Sequence, residues 1–245
     1  MGRTDFIGLD PKIKRLVVLG DIHGEKDRLL ACLQSERRED TAFVSVGDNV
    51  GYNDGPASSQ VWRILRDWRI PSVCGNHEAW IRGRRLWIVA GPSKELLVDD
   101  DAYAWIMGLP LRIEMTTPHL QEKRSVVQHA PLDRELQDWL YLHNEIPPES
   151  VFRQMPGDIL CFGHTHKAAM YSVDEAGDVD MDFLAVRPSG VLSWELDMSQ
   201  KRYILDAGSI GRPCRKGDRV LDVGTYGVIE LSGGAPKMSL TVIQA

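Results

Sequence analysis

The sequence has few cysteines, and their spacing excludes the common cysteine-based sites. The four cysteines are Cys32, Cys74, Cys161 and Cys214, and no two of them form a Cys-x-x-Cys pair. Neither a disulfide framework nor a zinc site built on thiolates is therefore predicted. We expect Cys74 and Cys161, which lie in apolar runs, to be buried free thiols.

The sequence also lacks long apolar runs and an excess of positive charge. No apolar run reaches the roughly 18 residues of a membrane-spanning helix, and the first residues, MGRTDFIGLDPK, lack the apolar stretch of a signal peptide. We therefore expect no membrane association and a cytoplasmic location. The formal net charge is −6 and the isoelectric point is about 5.7, so no stable nucleic-acid complex is expected. Nothing in the sequence indicates the oligomeric state.

What is present is a chain of 245 residues, 43% hydrophobic, which suits one domain with a large core. Apolar, β-branched runs at 15–20, 41–47 and 70–75 predict buried strands. Amphipathic segments at 25–36 and 58–68 predict the helices between them. This alternation is typical of βαβ units with a parallel sheet that is covered on both faces.

The pattern changes after the third strand. Residues 79–110 are predicted to form two or three short helices. An antiparallel pair of strands is predicted next, at 111–115 and 124–130. A helix at 132–143 and another buried strand at 158–163 follow. From Lys167 onward, short strands separated by Gly, Asp and Ser turns predict antiparallel structure. We expect an α/β N-terminal part and a mainly antiparallel C-terminal part to share one core.

Five of the predicted strands run directly into polar side chains. The clusters are Asp21 with His23, Asp48 with Asn49, Asn76 with His77 and Glu78, His129, and His164 with His166. Because the C-terminal ends of parallel strands line one edge of a sheet, we expect these clusters to converge there. Taken singly, an aspartate also fits a helix cap or turn, and a lone histidine fits a hydrogen-bonded imidazole. The repeated placement favours a common site.

Seven of these side chains offer oxygen or nitrogen donors, and none offers a thiolate. They are Asp21, His23, Asp48, Asn76, His129, His164 and His166. A single structural zinc ion does not need so many donors, whereas two ions that share a carboxylate do. Mn, Fe, Zn, Ni and Co fit this donor set, and Cu(I) and iron–sulfur clusters do not. Two ions about 3.5–4 Å apart can hold a phosphoryl group and activate water at neutral pH.

The order of the motifs resembles that of the calcineurin-like metallophosphoesterase superfamily. Asp-x-His-Gly, Gly-Asp, Gly-Asn-His-Glu, a later histidine and Gly-His-x-His follow one another between residues 16 and 166. The segment LDAGSIGRPCRKGD is similar to the closing segment of the small bacterial and archaeal phosphodiesterase branch. The resemblance implies an α/β fold of two packed mixed β-sheets flanked by helices, a four-layer α/β/β/α sandwich. It implies a single domain over 1–245 with a helical insertion at about 79–110.

The resemblance also implies a function for each residue of the motifs. One ion would be held by Asp21, His23, Asp48 and His166, and the other by Asp48, Asn76, His129 and His164. Asp48 would bridge the two ions, and manganese is the ion expected to support activity. A hydroxide that bridges the ions would attack the phosphorus in line. His77 would lie beside the phosphate and stabilise charge or protonate the leaving oxygen.

The sequence departs from the pattern of the phosphoprotein phosphatases and the symmetrical dinucleoside tetraphosphatases. Here GDNVGYN puts Gly51 and Tyr52 where an arginine that grips phosphate stands in those groups, and Cys74 precedes Gly-Asn-His-Glu. This difference favours phosphodiesters or nucleotides over more highly charged monoesters. Asn49, Tyr52 and Arg82 are the predicted substrate contacts.

Alternatives remain open for the residues around the site. Asn49 and Asn53 suit turn formation equally well, and the basic run at 82–85 also fits a solvent-exposed helix face. Trp80, Trp87 and Trp105 fit either a hydrophobic cap that stacks a base or packing of the insertion onto the domain.

The leading prediction is a dimetal phosphoesterase that hydrolyses phosphodiester or nucleotide substrates. A Ser/Thr-type phosphoprotein phosphatase is the alternative among enzymes, and a non-catalytic scaffold of the same fold is the alternative outside them. The presence of all seven donors and of His77 disfavours the scaffold. The partner expected at the site is a phosphorylated small molecule or a nucleotide.

Overall fold

Two mixed β-sheets pack face to face, one of seven strands and one of five. The computed structural model describes residues 3–51, 55–83, 99–120, 123–130, 147–184, 190–211, 214–216, 219–221, 223–231 and 235–244. The predicted helix at 132–143 lies outside the described residues, as do Tyr52, Asn53 and Trp87.

The five-stranded sheet contains the first two strands predicted from the sequence. Its members are β2 (Arg15–Leu19), β3 (Thr41–Ser45), β9 (Val191–Glu195), β13 (Val223–Glu230) and β14 (Lys237–Gln244). They lie in the order β3-β2-β13-β14-β9, with β2 and β3 parallel and the other pairs antiparallel. Because both faces of this sheet are covered, residues 16–19 of β2 are apolar and buried without alternation.

The seven-stranded sheet has a parallel group at its centre. Its members are β1 (Thr4–Gly8), β4 (Arg112–Thr116), β5 (Arg124–Gln128), β6 (Ile159–Phe162), β7 (Ala168–Val173), β8 (Val179–Phe183) and β10 (Arg202–Ala207). They lie in the order β1-β4-β5-β6-β10-β7-β8. The neighbours β5, β6 and β10 are parallel, so their C-terminal ends meet at one edge of the sheet.

The described helices and one small hairpin complete the list of elements. The helices are α1 (Lys26–Glu36), α2 (Gly55–Asp67), α3 (Asn76–Arg82), α4 (Asp100–Gly108) and α5 (Pro148–Gln154). The hairpin pairs β11 (Cys214–Lys216) with β12 (Arg219–Leu221). Helix α4 begins where the Asp99 carboxylate accepts a hydrogen bond of 2.8 Å from the Ala102 N–H, as expected for an N-cap aspartate.

The hydrophobic clusters show how the layers are stacked. The largest cluster lies between the sheets and joins Val18 and Met238 of one sheet to Val127 and Leu205 of the other. A second cluster packs α1 and α2 on the outer face of the five-stranded sheet, and a third packs α5 on the outer face of the seven-stranded sheet. The order helix, sheet, sheet, helix confirms the predicted four-layer α/β fold.

The pairing of strands differs from the predicted division into an α/β half and an antiparallel half. The late strands β13 and β14 extend the five-stranded sheet beside β2, and β10 lies between β6 and β7. Strand β1 was not predicted, since it is half exposed and its TDFIG sequence does not alternate clearly. Such pairings join residues far apart in sequence, and local periodicity carries no information about them.

The predicted strand at 70–75 forms only a single bridge, between Ser45 and Ser72. Pro71 has no N–H to donate, although its carbonyl accepts a hydrogen bond of 2.9 Å from Ser45. The chain then turns away, because the Cys74 N–H donates to the Pro110 carbonyl at 2.7 Å. The turn directs Asn76 and the start of α3 toward the ends of β2 and β3.

The described part of the predicted insertion is helical and packs on the domain. Helices α3 and α4 form a cluster with α2 that includes Trp62, Ile81 and Ile106. Trp105 contributes to this packing, with its ring centroid 6.4 Å from that of Trp62. Within the described residues, no helix is long and apolar enough to cross a membrane.

Substitution of a methionine between the two sheets tests the importance of this core. Met238 is 0% exposed there, whereas Met181 on β8 is 43% exposed. We expect Met238→Ala to lower the free energy of unfolding by about 2–5 kcal/mol, because it removes buried apolar volume and leaves a cavity. Met181→Ala should change it by less than about 0.5 kcal/mol. Urea denaturation of both variants measures the difference, and equal losses would contradict the assignment of the core.

Candidate metal centre

The polar clusters predicted from the sequence meet where the two sheets adjoin. Asp21 and His23 follow β2, and Asp48 follows β3, both in the five-stranded sheet. His129 follows β5, and the loop of His164 and His166 follows β6, both in the seven-stranded sheet. The site therefore lies across the ends of parallel strands from two sheets, rather than along the edge of the single sheet that was predicted.

Several of these residues have a backbone conformation that is rare for side chains other than glycine. The described non-glycine residues with positive φ are His23 at 50°, Asp48 at 48°, Arg69 at 54°, His164 at 65° and His166 at 57°. All but Arg69 belong to the site. Left-handed residues of this kind cost free energy and persist where surrounding contacts hold them, as they do at functional sites.

Two glycines allow the loops to approach the buried carboxylates. A Cβ atom on Gly163 would overlap the Asp21 carboxylate, and one on Gly75 would overlap the Asp48 carboxylate and backbone. Because the glycines have no Cβ atom, nearby backbone N–H groups reach the carboxylates. His164 donates to Asp21 at 3.0 Å, and His77 donates to Asp48 Oδ1 at 2.9 Å. Both carboxylates are almost completely buried.

One group of donor atoms is formed by Asp21, His23 and His166. His166 Nε2 lies 2.9 Å from Asp21 Oδ2 and 3.0 Å from His23 Nε2. Burial lowers the pKa of His23 to about 3, which favours the neutral imidazole that binds metals. Two atoms that each lie about 2.1 Å from one ion at right angles are about 3.0 Å apart, so these spacings suit a shared cation.

A second group is formed by Asp48, His129 and His164, with Asn76 beside them. His129 Nε2 lies 2.9 Å from Asn76 Oδ1 and 3.4 Å from Asp48 Oδ2. The other ring nitrogen, Nδ1, lies 2.8 Å from the Val46 carbonyl oxygen, which can only accept, so Nδ1 carries the proton. Nε2 therefore faces two oxygen atoms, and the contacts are favourable when Nε2 carries a second proton or when a metal ion lies among the three atoms.

The pKa of His129 reflects this arrangement. Burial alone would lower the pKa, but the Asp48 and Asp21 carboxylates raise it to about 9. Asp48 shows the complementary effect, because His129 and His77 hold its pKa well below the ordinary value despite the burial that would raise it. Without a metal ion, a second proton on His129 supplies the positive charge that the two carboxylates favour. A divalent ion that binds to these donors displaces that proton.

Asp48 lies between the groups. Its Oδ2 atom is 4.0 Å from His23 Nε2, 3.4 Å from His129 Nε2 and 3.9 Å from His77 Nε2. A third possible group of donors accordingly combines His23, Asp48 and His77. This central position suits a carboxylate shared between two ions, and the oxygen and nitrogen donors are of the type that first-row divalent ions accept.

Glu78 holds the loop that carries Asp48, a function that the sequence pattern did not specify. Its Oε2 atom accepts hydrogen bonds of 2.9 Å from the N–H groups of Asp48 and Gly75, and its Oε1 atom accepts from Asn49 and Val50 at 2.8 and 3.2 Å. The side chain is fully buried. One carboxylate thus joins the loop after β3 to the start of α3, and it orients Asp48 and Asn76 together.

The residues predicted beyond the donor set have different surroundings. His77 is buried, with its ring centroid 5.0 Å from that of the half-buried Trp80 and 4.7 Å from that of His23. The amide of Asn49 accepts from Ser45 Oγ at 2.6 Å and donates to Ser72 Oγ at 2.9 Å, which links β3 to the neighbouring segment.

Arg82, the other predicted substrate contact that the structure describes, has a supporting function in α3. Its guanidinium donates to the carbonyl oxygens of Ile106 and Leu109 at the end of α4, at 2.9 Å from Nε and 2.8 Å from Nη2. Tyr52 lies outside the described residues.

The sequence profile of one protein family, described as calcineurin-like phosphoesterase, matches residues 14–168, well over half of the chain. The chain belongs to this family. No curated protein sequence matches it. Calcineurin-like phosphoesterases depend on two metal ions, and the donor groups around Asp48 suit that requirement.

Solved structures with the same fold cover nearly the whole of this calcineurin-like phosphoesterase. A metallophosphoesterase from Sphaerobacter thermophilus is 21% identical with a TM-score of 0.66, over 95% of this chain and 89% of that one. A protein assigned provisionally as a diadenosine tetraphosphatase is 20% identical with a TM-score of 0.55, over 97% of both chains. At these identities the likeness shows a common fold.

Replacement of Glu78 tests its hold on the loop of this phosphoesterase. Glutamine has one acceptor oxygen, so in Glu78→Gln the side-chain NH2 would face backbone N–H groups. We expect the free energy of unfolding to fall by about 1–3 kcal/mol for each N–H left without a partner. Chemical denaturation measures the loss, with Glu175→Gln in an exposed turn as the control. A change no larger than that of the control would contradict this function of Glu78.

A methyl group at Gly163 tests the close approach to Asp21. We expect Gly163→Ala to displace the carboxylate and weaken Mn²⁺ binding by about 10-fold or more, the size of effect seen when the support of a ligand is lost. Gly190→Ala is the matched control, because nothing lies within 4 Å of a Cβ atom at that position. Titration calorimetry with Mn²⁺ compares the two variants, and equal affinities would show that the site tolerates the methyl group.

Proposed function

We propose that this protein is a metal-dependent phosphoesterase that hydrolyses phosphodiesters or nucleotides. The observation that carries the proposal is the convergence of two donor groups on Asp48, with His77 beside the same carboxylate. Family membership supports hydrolysis of phosphoesters. We further propose that the chain forms one domain over 1–245 with an insertion at about 79–110, acts in the cytoplasm and uses manganese.

The proposed ligands follow the two donor groups. Asp21, His23, Asp48 and His166 would hold one ion, and Asp48, Asn76, His129 and His164 would hold the other. Two bound divalent ions supply Lewis acidity, which polarises phosphoryl oxygens and lowers the pKa of water. The protein residues orient the ions, and the burial of Asp21 and Asp48 keeps the electrostatic interactions strong.

His77 is the proposed catalytic residue of the protein itself. Its backbone N–H is fixed on Asp48 Oδ1 at 2.9 Å, and its Nε2 atom lies 3.9 Å from Asp48 Oδ2. Burial lowers the pKa of His77, which favours the neutral ring. A neutral imidazole can donate one hydrogen bond to a phosphoryl oxygen and stabilise the charge that develops there.

The preference for diesters or nucleotides rests on how the site supplies positive charge. Gly51 and Tyr52 stand where phosphoprotein phosphatases have an arginine that binds phosphate. The guanidinium of Arg82 donates its hydrogen bonds to the carbonyl oxygens of Ile106 and Leu109. Among the described residues, Arg82 is thus not available to bind phosphate, which favours a substrate with less negative charge. The provisional name of one fold relative, a diadenosine tetraphosphatase, adds dinucleoside polyphosphates to the substrates to be tested, although Gly51 and Tyr52 stand where the symmetrical tetraphosphatases have an arginine.

Hydrolysis of an aryl phosphodiester and of the matching monoester by protein loaded with Mn²⁺ tests the proposal. We expect diester turnover to exceed monoester turnover. His77→Ala should lower kcat by about 10²–10⁴-fold through loss of a positioned hydrogen-bond donor, and Asp48→Asn should abolish turnover. Absorbance of the released phenol gives the rates.

The partly exposed His119, whose Nε2 lies 2.7 Å from the Pro11 carbonyl oxygen, provides the control substitution, His119→Ala. This variant should retain the wild-type rate. A monoester preference would favour the phosphoprotein phosphatase alternative, and no turnover with any divalent ion would leave the non-catalytic scaffold as the better explanation.

A further inference from the structure

Residues 206–211, here called the tail brace, contact two loops of the candidate metal centre at once. They comprise the last two residues of β10 and the loop that follows it. The C-terminal end of β10 lies at the same sheet edge as those of β5 and β6 because the three strands are parallel. The brace falls within the segment LDAGSIGRP and contributes none of the proposed ligands, so its function in the site is open.

The first set of contacts fixes the backbone of Asp21. Its carbonyl oxygen accepts from Ser209 Oγ at 2.8 Å and from the N–H groups of Ile210 and Gly211 at 2.9 Å each. The Asp21 N–H donates to the Gly208 carbonyl at 3.3 Å, and Asp21 and Ser209 form a parallel bridge. The backbone N–H and the backbone carbonyl of Asp21 are therefore both hydrogen-bonded to the tail brace.

Glycines allow the two segments to lie this close together. A Cβ atom on Gly211 would overlap the Ile22 carbonyl, and one on Gly20 would lie 2.5 Å from the Gly208 carbonyl oxygen. Gly208 itself has a φ of 70°, which suits glycine. The Gly-Ser-Ile-Gly pattern is thus explained by its contact with the loop that carries Asp21 and His23.

The second set of contacts fixes the loop of His164 and His166. Thr165, between the two histidines, donates from Oγ1 to Asp206 Oδ2 at 2.5 Å and accepts at Oγ1 from the Lys167 N–H at 3.0 Å. The other oxygen of Asp206 accepts from the Gly208 N–H at 3.1 Å. Asp206 is 1% exposed, so this carboxylate has little access to water and depends on these donors.

The two loops held by the tail brace supply every donor of one group, and the second loop also supplies His164 to the other group. Asp21 and His23 come from one loop and His166 from the other, whereas the loop of Asp48 is held by Glu78 and the ring of His129 by the Val46 carbonyl. We propose that Asp206, with Thr165, and Ser209 are positioning residues for the metal position formed by Asp21, His23 and His166. The proposal rests on the proposed dimetal function.

Counting Mn²⁺ sites and their affinities tests this proposal. Thr165→Val keeps the shape of the side chain and removes the hydroxyl, and Ser209→Ala removes one donor from the Asp21 carbonyl. We expect each to raise the dissociation constant of the Mn²⁺ held by Asp21, His23 and His166 by about 10–100-fold. The other ion, whose proposed ligand His164 lies next to Thr165, should be weakened less in Thr165→Val and should be unchanged in Ser209→Ala. Titration calorimetry measures the affinities, and Mn²⁺ electron paramagnetic resonance distinguishes a coupled pair from a single ion.

Matched controls separate positioning from general destabilisation. Thr117→Val and Ser172→Ala change the same residue types at buried positions outside the site and should retain two coupled ions. Thr165→Ser, which restores the hydroxyl, should recover the affinity lost in Thr165→Val. Circular dichroism shows whether each variant is folded, and Ser209→Ala provides an independent test if Thr165→Val is not.

The outcomes distinguish failure of this proposal from failure of the proposed function. If wild-type protein binds two Mn²⁺ ions and the folded variants do so with unchanged affinity, the positioning proposal is wrong and the dimetal function stands. Equal weakening of both ions would also contradict it, because it would indicate a general structural effect. If wild-type protein binds no Mn²⁺, the dimetal function itself is wrong.

Discussion

The burial of two carboxylates, Asp21 and Asp48, at the junction of the sheets is the constraint on which the rest of the site depends. A buried negative charge is unfavourable unless it is paired and hydrogen-bonded. The N–H of His164 donates to Asp21 and the N–H of His77 donates to Asp48. The imidazoles of His166 and His129 lie beside the same two carboxylates. The loops must come very close for this, which accounts for glycine at 75 and 163 and for the rare φ values around them.

The supporting residues are also buried acids, and burial raises the pKa of both Glu78 and Asp206. Glu78 and Asp206 each collect donors from a loop and a neighbouring element, so that no ligand loop depends on its own sequence alone. A carboxylate is well suited to this because it accepts several hydrogen bonds at once. Their cost of burial is offset only in the complete fold, which couples the order of the site to the stability of both sheets.

The positions of the site could be predicted from the sequence because their signal is local. An apolar run that ends in Gly-Asp or Gly-His shows both the strand and the side chains at its C-terminal end, and the seven donor positions do lie together. The fold class followed from the family resemblance. The contacts of Glu78 and Asp206 could not be read in the same way, since a buried carboxylate shows no periodicity and its partners are backbone groups of distant loops. The pairing of β13 with β2 was equally hidden, because it joins segments about two hundred residues apart.

The late position of the tail brace in the chain has a consequence for biosynthesis. When residue 168 has been added, every proposed metal ligand has been synthesised, yet residues 206–211, which hold Asp21 in place, have not. Strand β2 also lacks its neighbour β13 at that stage. Domains generally fold as units. A nascent chain that lacks residues 206–211 and β13 therefore leaves the backbone of Asp21 without the partners that hold it in the complete fold. We therefore expect a fragment that ends with the family match at residue 168 to lack the contacts that hold the loops of Asp21 and His166.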